Sequence, residues 1–184
     1  MLDATMKQQL SAYLNNLRNP IELLVSVNDS PKSKELEELA NEIAALNDKI
    51  SVNTTSDKIG GRSPVMTIAK EGSEARVAFA GVPMGHEFTS LVLALLQAGS
   101  HPSKEAQALQ DQAKSLSREL NFEVYVSLSC HNCPDVVQAV NLMAALNPKI
   151  TATMIDGGVF PDEVKQRDIM AVPSLYLNGE LFGN

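Results

Sequence analysis

Cys130 and Cys133 are the only two cysteines in a chain of 184 residues. They stand in Ser129-Cys130-His131-Asn132-Cys133-Pro134, a spacing that brings both sulfurs to one turn of a helix. A strand feeds this segment and a helix follows it, so the pair sits beside free backbone N–H groups and the positive end of the helix dipole. Both favour thiolate over thiol, and a cysteine so placed has a pKa of roughly 3.5–7.5 against about 8.5 when free. The chemistry this suggests is dithiol–disulfide exchange, with Cys130 as the exposed nucleophile and Cys133 as the more buried resolving thiol. Pro134 lacks an N–H, which costs little in a first helical turn. Two other readings stay open. Zinc could use both thiols, but it needs two further ligands, for which His86, His101 and His131 are the soft candidates. The cysteines could also be incidental to a helix. His131 either tunes the thiolate by its charge when protonated or is a solvent-facing spacer.

Composition narrows the setting. Hydrophobic residues make up 44% of the chain, enough for a core, yet aromatics are 4% and Trp is absent. The core must therefore rest on Leu, Val, Ile, Ala and Met. A net charge of −7 argues against binding a phosphate backbone, which needs clustered Lys and Arg. No apolar run approaches the roughly 20 residues of a spanning helix, and the amphipathic N-terminus does not read as a secretory signal. Two cysteines do not make a disulfide scaffold, and in a reducing cytosol a CxxC pair points to catalysis or metal binding. A cytoplasmic protein is expected.

The elements that must position the pair occur twice. Ala44-Ala45-Leu46-Asn47-Asp48-Lys49-Ile50 returns one hundred positions later as Ala144-Ala145-Leu146-Asn147-Pro148-Lys149-Ile150. Periodicity predicts a helix over Leu2–Leu17, with Leu2, Met6, Leu10, Tyr13, Leu14 and Leu17 on one stripe. A strand over Ile21–Val27 follows, then a helix over Lys32–Leu46 and a strand over Ile50–Thr54. Pro64 leads a hairpin of Val65–Ala69 and Ala75–Ala80, and a helix over Glu87–Ala98 ends at Gly99. The second set is predicted as a helix over Ser103–Leu120 capped by Ser103, a strand over Phe122–Leu128, a helix over Pro134–Leu146 and a strand over Ile150–Ile155. A short helix over Asp162–Met170 comes next, then Pro173 leading a strand over Ser174–Leu177 with a turn at Asn178-Gly179. By analogy with the first set, the rest of that hairpin and a closing helix should follow Asn184.

Helix, strand, helix, strand, proline-led hairpin and helix describe a thioredoxin-like unit. The expected fold is α/β: two tandem thioredoxin-like, or glutaredoxin-like, units fused into one domain with a mixed central sheet flanked by helices. Residues 1–102 form the unit without CxxC, a scaffold or docking half, and residues 103–184 form the redox unit. Where the second unit has its cysteines, the first has Asn28-Asp29-Ser30-Pro31-Lys32. In such a unit a cis-proline loop lies against the dithiol, and Val172-Pro173 stands at that point, matched by Pro64 in the first unit. Glu87, in the first unit, would serve as a general acid or base if it faces the dithiol. Otherwise it is a first-turn carboxylate favourable to its helix dipole.

CHNCPDVVQAVNLMAALNP, IDGGVF, AVPSLYLNGELFG and GHEFTS together resemble the N-terminal region of the family of alkyl hydroperoxide reductase F subunits, over essentially the whole chain. The resemblance implies two fused thioredoxin-like folds preceding a C-terminal flavoprotein module, so that this chain stops before that module. FAD and NADH are implied for the longer protein, as a homodimer, and no cofactor for this part. It implies a relay from NADH through FAD and a flavin-side dithiol to Cys130–Cys133, then to the disulfide of a peroxiredoxin, the alkyl hydroperoxide reductase C subunit. Cys130 matches the attacking cysteine, Cys133 its partner, and Glu87 a first-half glutamate near the dithiol. The alternatives are a free-standing protein disulfide oxidoreductase of broad specificity and a metal-binding docking module.

Overall fold

The computed structural model describes all of residues 1–184. Its elements run α1 (Ala4–Leu14), β1 (Ile21–Ser26), α2 (Pro31–Ala45), β2 (Ile50–Thr55), β3 (Val65–Lys70), β4 (Val77–Ala80), a 3-10 turn at Gly85–Glu87 and α3 (Phe88–Ala98). Then come α4 (Gln107–Ser115), β5 (Leu120–Val126), α5 (Cys133–Leu146), β6 (Ile150–Asp156), α6 (Pro161–Gln166), β7 (Ser174–Leu177) and β8 (Glu180–Gly183). The eight strands form one mixed sheet in the order β2-β1-β3-β4-β6-β5-β7-β8. Strands β1 and β2 pair in parallel, as do β5 and β6. A third parallel pairing, β4 with β6, joins Val77–Ala80 to Ala152–Ile155 and makes the sheet continuous. This is a thioredoxin-like α/β fold.

Alternation along the strands sorts side chains onto two faces. Phe122, Val124 and Val126 of β5 join the main core with Leu36, Leu39 and Ile43 of α2, Leu91 and Leu95 of α3, and Val137 and Ala144 of α5. Glu123 and Tyr125 point the other way. Tyr125 belongs to a smaller core with Val65, Ala80, Ile155 and Tyr176, flanked by Val164 of α6. Each fully buried Leu, Ile or Val contributes about 1.5–3 kcal/mol relative to exposure, so the larger core, packed by α1, α2, α3 and α5, dominates stability.

The repeated motif has one mechanical job, done twice. A helix ends with four carbonyls that lack intrahelical partners. Asn47 Nδ2 donates to Leu14 O at 3.1 Å, and Lys49 Nζ donates to Leu17 O at 2.9 Å. Asn147 Nδ2 donates to Ala113 O and Leu116 O, both at 2.9 Å, and Lys149 Nζ donates to Ser117 O at 3.0 Å. Each asparagine then accepts the N–H of the lysine two residues on, at 2.9 Å. The motif thus ties the end of α1 or α4 to the start of the following parallel strand. Asn147 is 3% exposed, so Asn147→Ala is expected to lower unfolding free energy by about 1–3 kcal/mol, since it leaves the Leu116 carbonyl without its partner and the Ala113 carbonyl with only the Leu116 N–H. Urea unfolding with an unchanged m-value would read this, and a change under about 0.5 kcal/mol would remove the motif's structural role.

Several predicted elements need correction. Helix α4 covers only Gln107–Ser115, not Ser103–Leu120. Ser103 Oγ accepts the Glu105 N–H at 3.1 Å in a local turn instead of capping the helix, while Asn147 takes the C-terminal carbonyls and Leu120 pairs with Ile150 in the sheet. Tyr13 is 53% exposed and leaves the buried stripe to Leu2, Leu10, Leu14 and Leu17. Helix α6 ends at Gln166 rather than Met170, because Asp168 adopts a positive φ of 54°. The Asn178-Gly179 turn is followed within the chain by β8, the second strand of that hairpin. No helix is long and apolar enough to cross a membrane.

Candidate functional site

Strand β5 delivers the chain to the top of the sheet, and residues 127–132 turn it into α5. Cys130 N–H donates to Ser127 O at 3.0 Å, which fixes this turn. Cys130 and Cys133 are joined in a disulfide, with Cα atoms 5.5 Å apart. Cys133 is the first residue of α5 and is fully buried, whereas Cys130 is half-buried ahead of the helix. The Cys133 N–H points at Cys130 Sγ, 3.2 Å away. Cys130 therefore does not lie inside the helix, but its sulfur receives a first-turn N–H and faces the positive helix end. On reduction that arrangement stabilises a Cys130 thiolate. Pro134 is the second helical residue, where its missing N–H leaves no bond unmade. The Val172-Pro173 bond is cis, as is Ser63-Pro64, and the Val172 carbonyl lies 3.9 Å from Cys130 Sγ.

The half of the chain without cysteines reaches this centre through the 3-10 turn. His86 N–H donates to Leu128 O at 2.9 Å. Gly85 has φ +59°, and a Cβ there would sit 2.8 Å from Leu128 O, so only glycine allows so close an approach. The His86 ring meets His131 edge-on, with centroids 4.5 Å apart. His131 is exposed, and its ring packs against His86. His101 lines a groove beside α4, away from both. No group of three or more His, Cys, Asp or Glu side chains is placed to hold a metal ion.

Glu87 is 0% exposed. It occupies the N-cap position of α3 but makes no side-chain cap bond. Its Oε1 instead accepts the Ser90 hydroxyl at 2.7 Å, and Ser90 Oγ accepts Gln138 Nε2 of α5 at 3.2 Å. Oε2 has no partner. The His86–His131 and Ser90–Gln138 contacts bracket the segment and put Glu87 at the Cys133 end of the paired helices α3 and α5. Burial pushes the Glu87 carboxyl above the ordinary value of 4.5, and the Ser90 hydrogen bond pulls part of the way back.

Behind the sheet lies a second polar group. Arg62 donates through Nε and Nη2 to both oxygens of Glu163, each at 2.8 Å, and also to Glu123. Arg167 Nη1 reaches the other oxygen of Glu123 at 3.1 Å, and Tyr125 OH donates to Glu163 at 2.7 Å. Burial alone would raise the Glu163 carboxyl, but the Arg62 and Tyr125 bonds hold it below its usual value. This cluster pins α6, whose trailing loop ends at Pro173, to β5 and to the first half.

The structure brings Cys130, Cys133, Pro134 and Pro173 together and puts Glu87 on the adjoining turn; sequence reasoning did not name Ser90, Gln138 or Arg62. Ser90 stands three residues beyond Glu87, a helical spacing that could have signalled the pair. Gln138 and Arg62 gave no local signal, because each acts across the junction between sequence-distant elements.

A thioredoxin domain model matches residues 120–183. The alkyl hydroperoxide reductase F subunit of Pseudomonas putida is 54% identical over 183 residues, covering 100% of this chain and 35% of that protein. A Bacillus subtilis protein named NADH dehydrogenase is 50% identical over 184 residues, covering 100% of this chain and 36% of that one. The chain thus spans about a third of the length of these curated relatives. The crystal structure of the NTD_N/C domain of alkylhydroperoxide reductase AhpF from Enterococcus faecalis superposes with a TM-score of 0.89 at 31% identity, covering 100% of this chain and 94% of that one.

Proposed function

Because the chain belongs to the family of N-terminal domains of alkyl hydroperoxide reductase F subunits, we propose that it relays electrons from a flavoprotein dithiol to a peroxiredoxin disulfide. The chain is a thioredoxin-like disulfide oxidoreductase domain with Cys130–Cys133 as its redox pair. One observation carries the relay reading: a half-buried sulfur at a helix start, bonded to a fully buried one. That asymmetry gives one sulfur for partners to attack and one that only its neighbour can reach.

In this reading the C-terminal module of the longer protein draws electrons from NADH through FAD, and the name of the Bacillus subtilis relative supports the NADH end. Residues of this chain then act in turn. The Cys130 thiolate attacks the peroxiredoxin disulfide and forms a mixed disulfide. Cys133 loses its proton and attacks Cys130 Sγ, releasing the partner thiolate and restoring the bond seen here. Glu87 takes that proton, and returns it to Cys133 when the pair is reduced again. Residues 103–184 do the exchange, while residues 1–102 supply Glu87 and a docking scaffold. A cytosol kept reducing suits such a carrier.

The test is reduction of the chain followed by addition of oxidised peroxiredoxin or insulin, with thiols titrated over time. Peroxiredoxin reduced far faster than insulin is the expected result, and equal rates would instead support a disulfide oxidoreductase of broad specificity.

A further inference from the structure

Glu87 Oε2 is a buried polar atom with no hydrogen-bond partner, which is uncommon enough to need a reason. The reason lies in the direction of the bonds around it. A serine hydroxyl carries one proton and two acceptor sites. Gln138 Nε2 occupies an acceptor site of Ser90 Oγ at 3.2 Å, and the Ser90 proton is delivered to Glu87 Oε1 at 2.7 Å. The side-chain amide thus sets the hydroxyl, and the hydroxyl sets the carboxyl. Oε1 is committed as an acceptor, so a proton carried by Glu87 resides on Oε2. In the disulfide form that proton has no acceptor. On reduction, Cys133 at the same end of the helix pair becomes one.

We propose that Ser90, oriented by Gln138, is a positioning residue that assigns the transferable proton of Glu87 to Oε2. The inference builds on the acid–base role proposed for Glu87. An incoming thiolate attacks Cys130 Sγ, the S–S bond breaks, and its electron pair goes to Cys133 Sγ. The Oε2 proton passes to that sulfur and leaves a carboxylate, which Ser90 then stabilises. The other titratable groups at this end are His86 on the turn, His131 on the redox loop, and Cys133 and Asp135 on α5; α3 brings none.

The test follows reduction of Cys130–Cys133 by dithiothreitol from about pH 5 to 9, with rates expressed per dithiothreitol thiolate. The chain has no Trp, so quenched alkylation and mass measurement give the redox state. In the parent chain the rate should fall as pH rises through the Glu87 titration, because the proton donor is lost. Ser90→Ala removes the bond that favours the carboxylate, so the falling limb should move up by about one pH unit. Gln138→Leu should move it the same way by less, and covers the case in which Ser90→Ala fails to fold. In a Glu87→Gln background neither change should have any effect on the profile. A limb abolished by Glu87→Gln but unmoved by Ser90→Ala or Gln138→Leu overturns this proposal alone. A limb that survives Glu87→Gln overturns the acid–base reading beneath it.

Discussion

Cys130→Ser is expected to abolish electron transfer to a peroxiredoxin, by at least about 10⁴-fold, the scale of losing the nucleophile in a covalent mechanism. The geometry makes the effect one-sided. Cys133 is fully buried, and Cys130 Sγ is the sulfur that receives the first-turn N–H of α5. A lone Cys133 thiol has neither access nor the electrostatic help that favours thiolate. Cys133→Ser should behave differently. Its Cys130 still attacks, but nothing resolves the adduct, so a stable mixed disulfide accumulates and is visible on a non-reducing gel. Both variants fit into one stopped assay with thiols counted at intervals. Activity of Cys130→Ser within about tenfold of the parent would shift the nucleophile to Cys133 and undo the assignment.

Glu87→Gln has the second largest expected effect, on the order of 10²-fold slower exchange near neutral pH, the low end for loss of a general acid or base. It should also raise stability, which is an unusual pairing. Burial raises the Glu87 pKa in the folded chain above its ordinary value of 4.5. The folded state therefore holds the proton more tightly than the unfolded state. The stabilisation this gives is complete below the unfolded pKa, and is lost as pH rises through the folded pKa. A glutamine does not titrate and avoids that loss. Thermal melts from about pH 4 to 8 should thus show the parent losing ground to Glu87→Gln as pH rises. A variant that is slower but no more stable at the alkaline end would contradict the buried, unpaired carboxyl described here.

Much of this site was legible because its parts are local. Cys130, Cys133 and Pro134 sit within one turn, and their helix-start chemistry follows from spacing. The AALN repeat was legible as a repetition, but its function was not: that Asn147 and Lys149 hold the carbonyls of α4 depends on a strand returning beside a helix that ended some thirty residues earlier. The helix over Ser103–Leu120 was overextended for the same reason, since tertiary hydrogen bonds and strand pairing overrode local propensity. Glu87 could be named but not placed, because Gln138, which bonds its partner Ser90, lies on another helix. Arg62 was invisible, as a lone arginine after two glycines carries no pattern until Glu123 and Glu163 come to it.

The parallel pairing of β4 with β6 bears on solubility. Were β4 absent, Ala152–Ile155 would be an outer strand, presenting bare N–H and C=O groups between largely apolar side chains. Nature usually blunts such borders with charge, proline or bulges, and this segment has none of these; left open, it would invite pairing with other chains. The cysteine-free half therefore acts as a permanent cover on an aggregation-prone border. Its strand leaves that border no free N–H or C=O row for another chain to pair with.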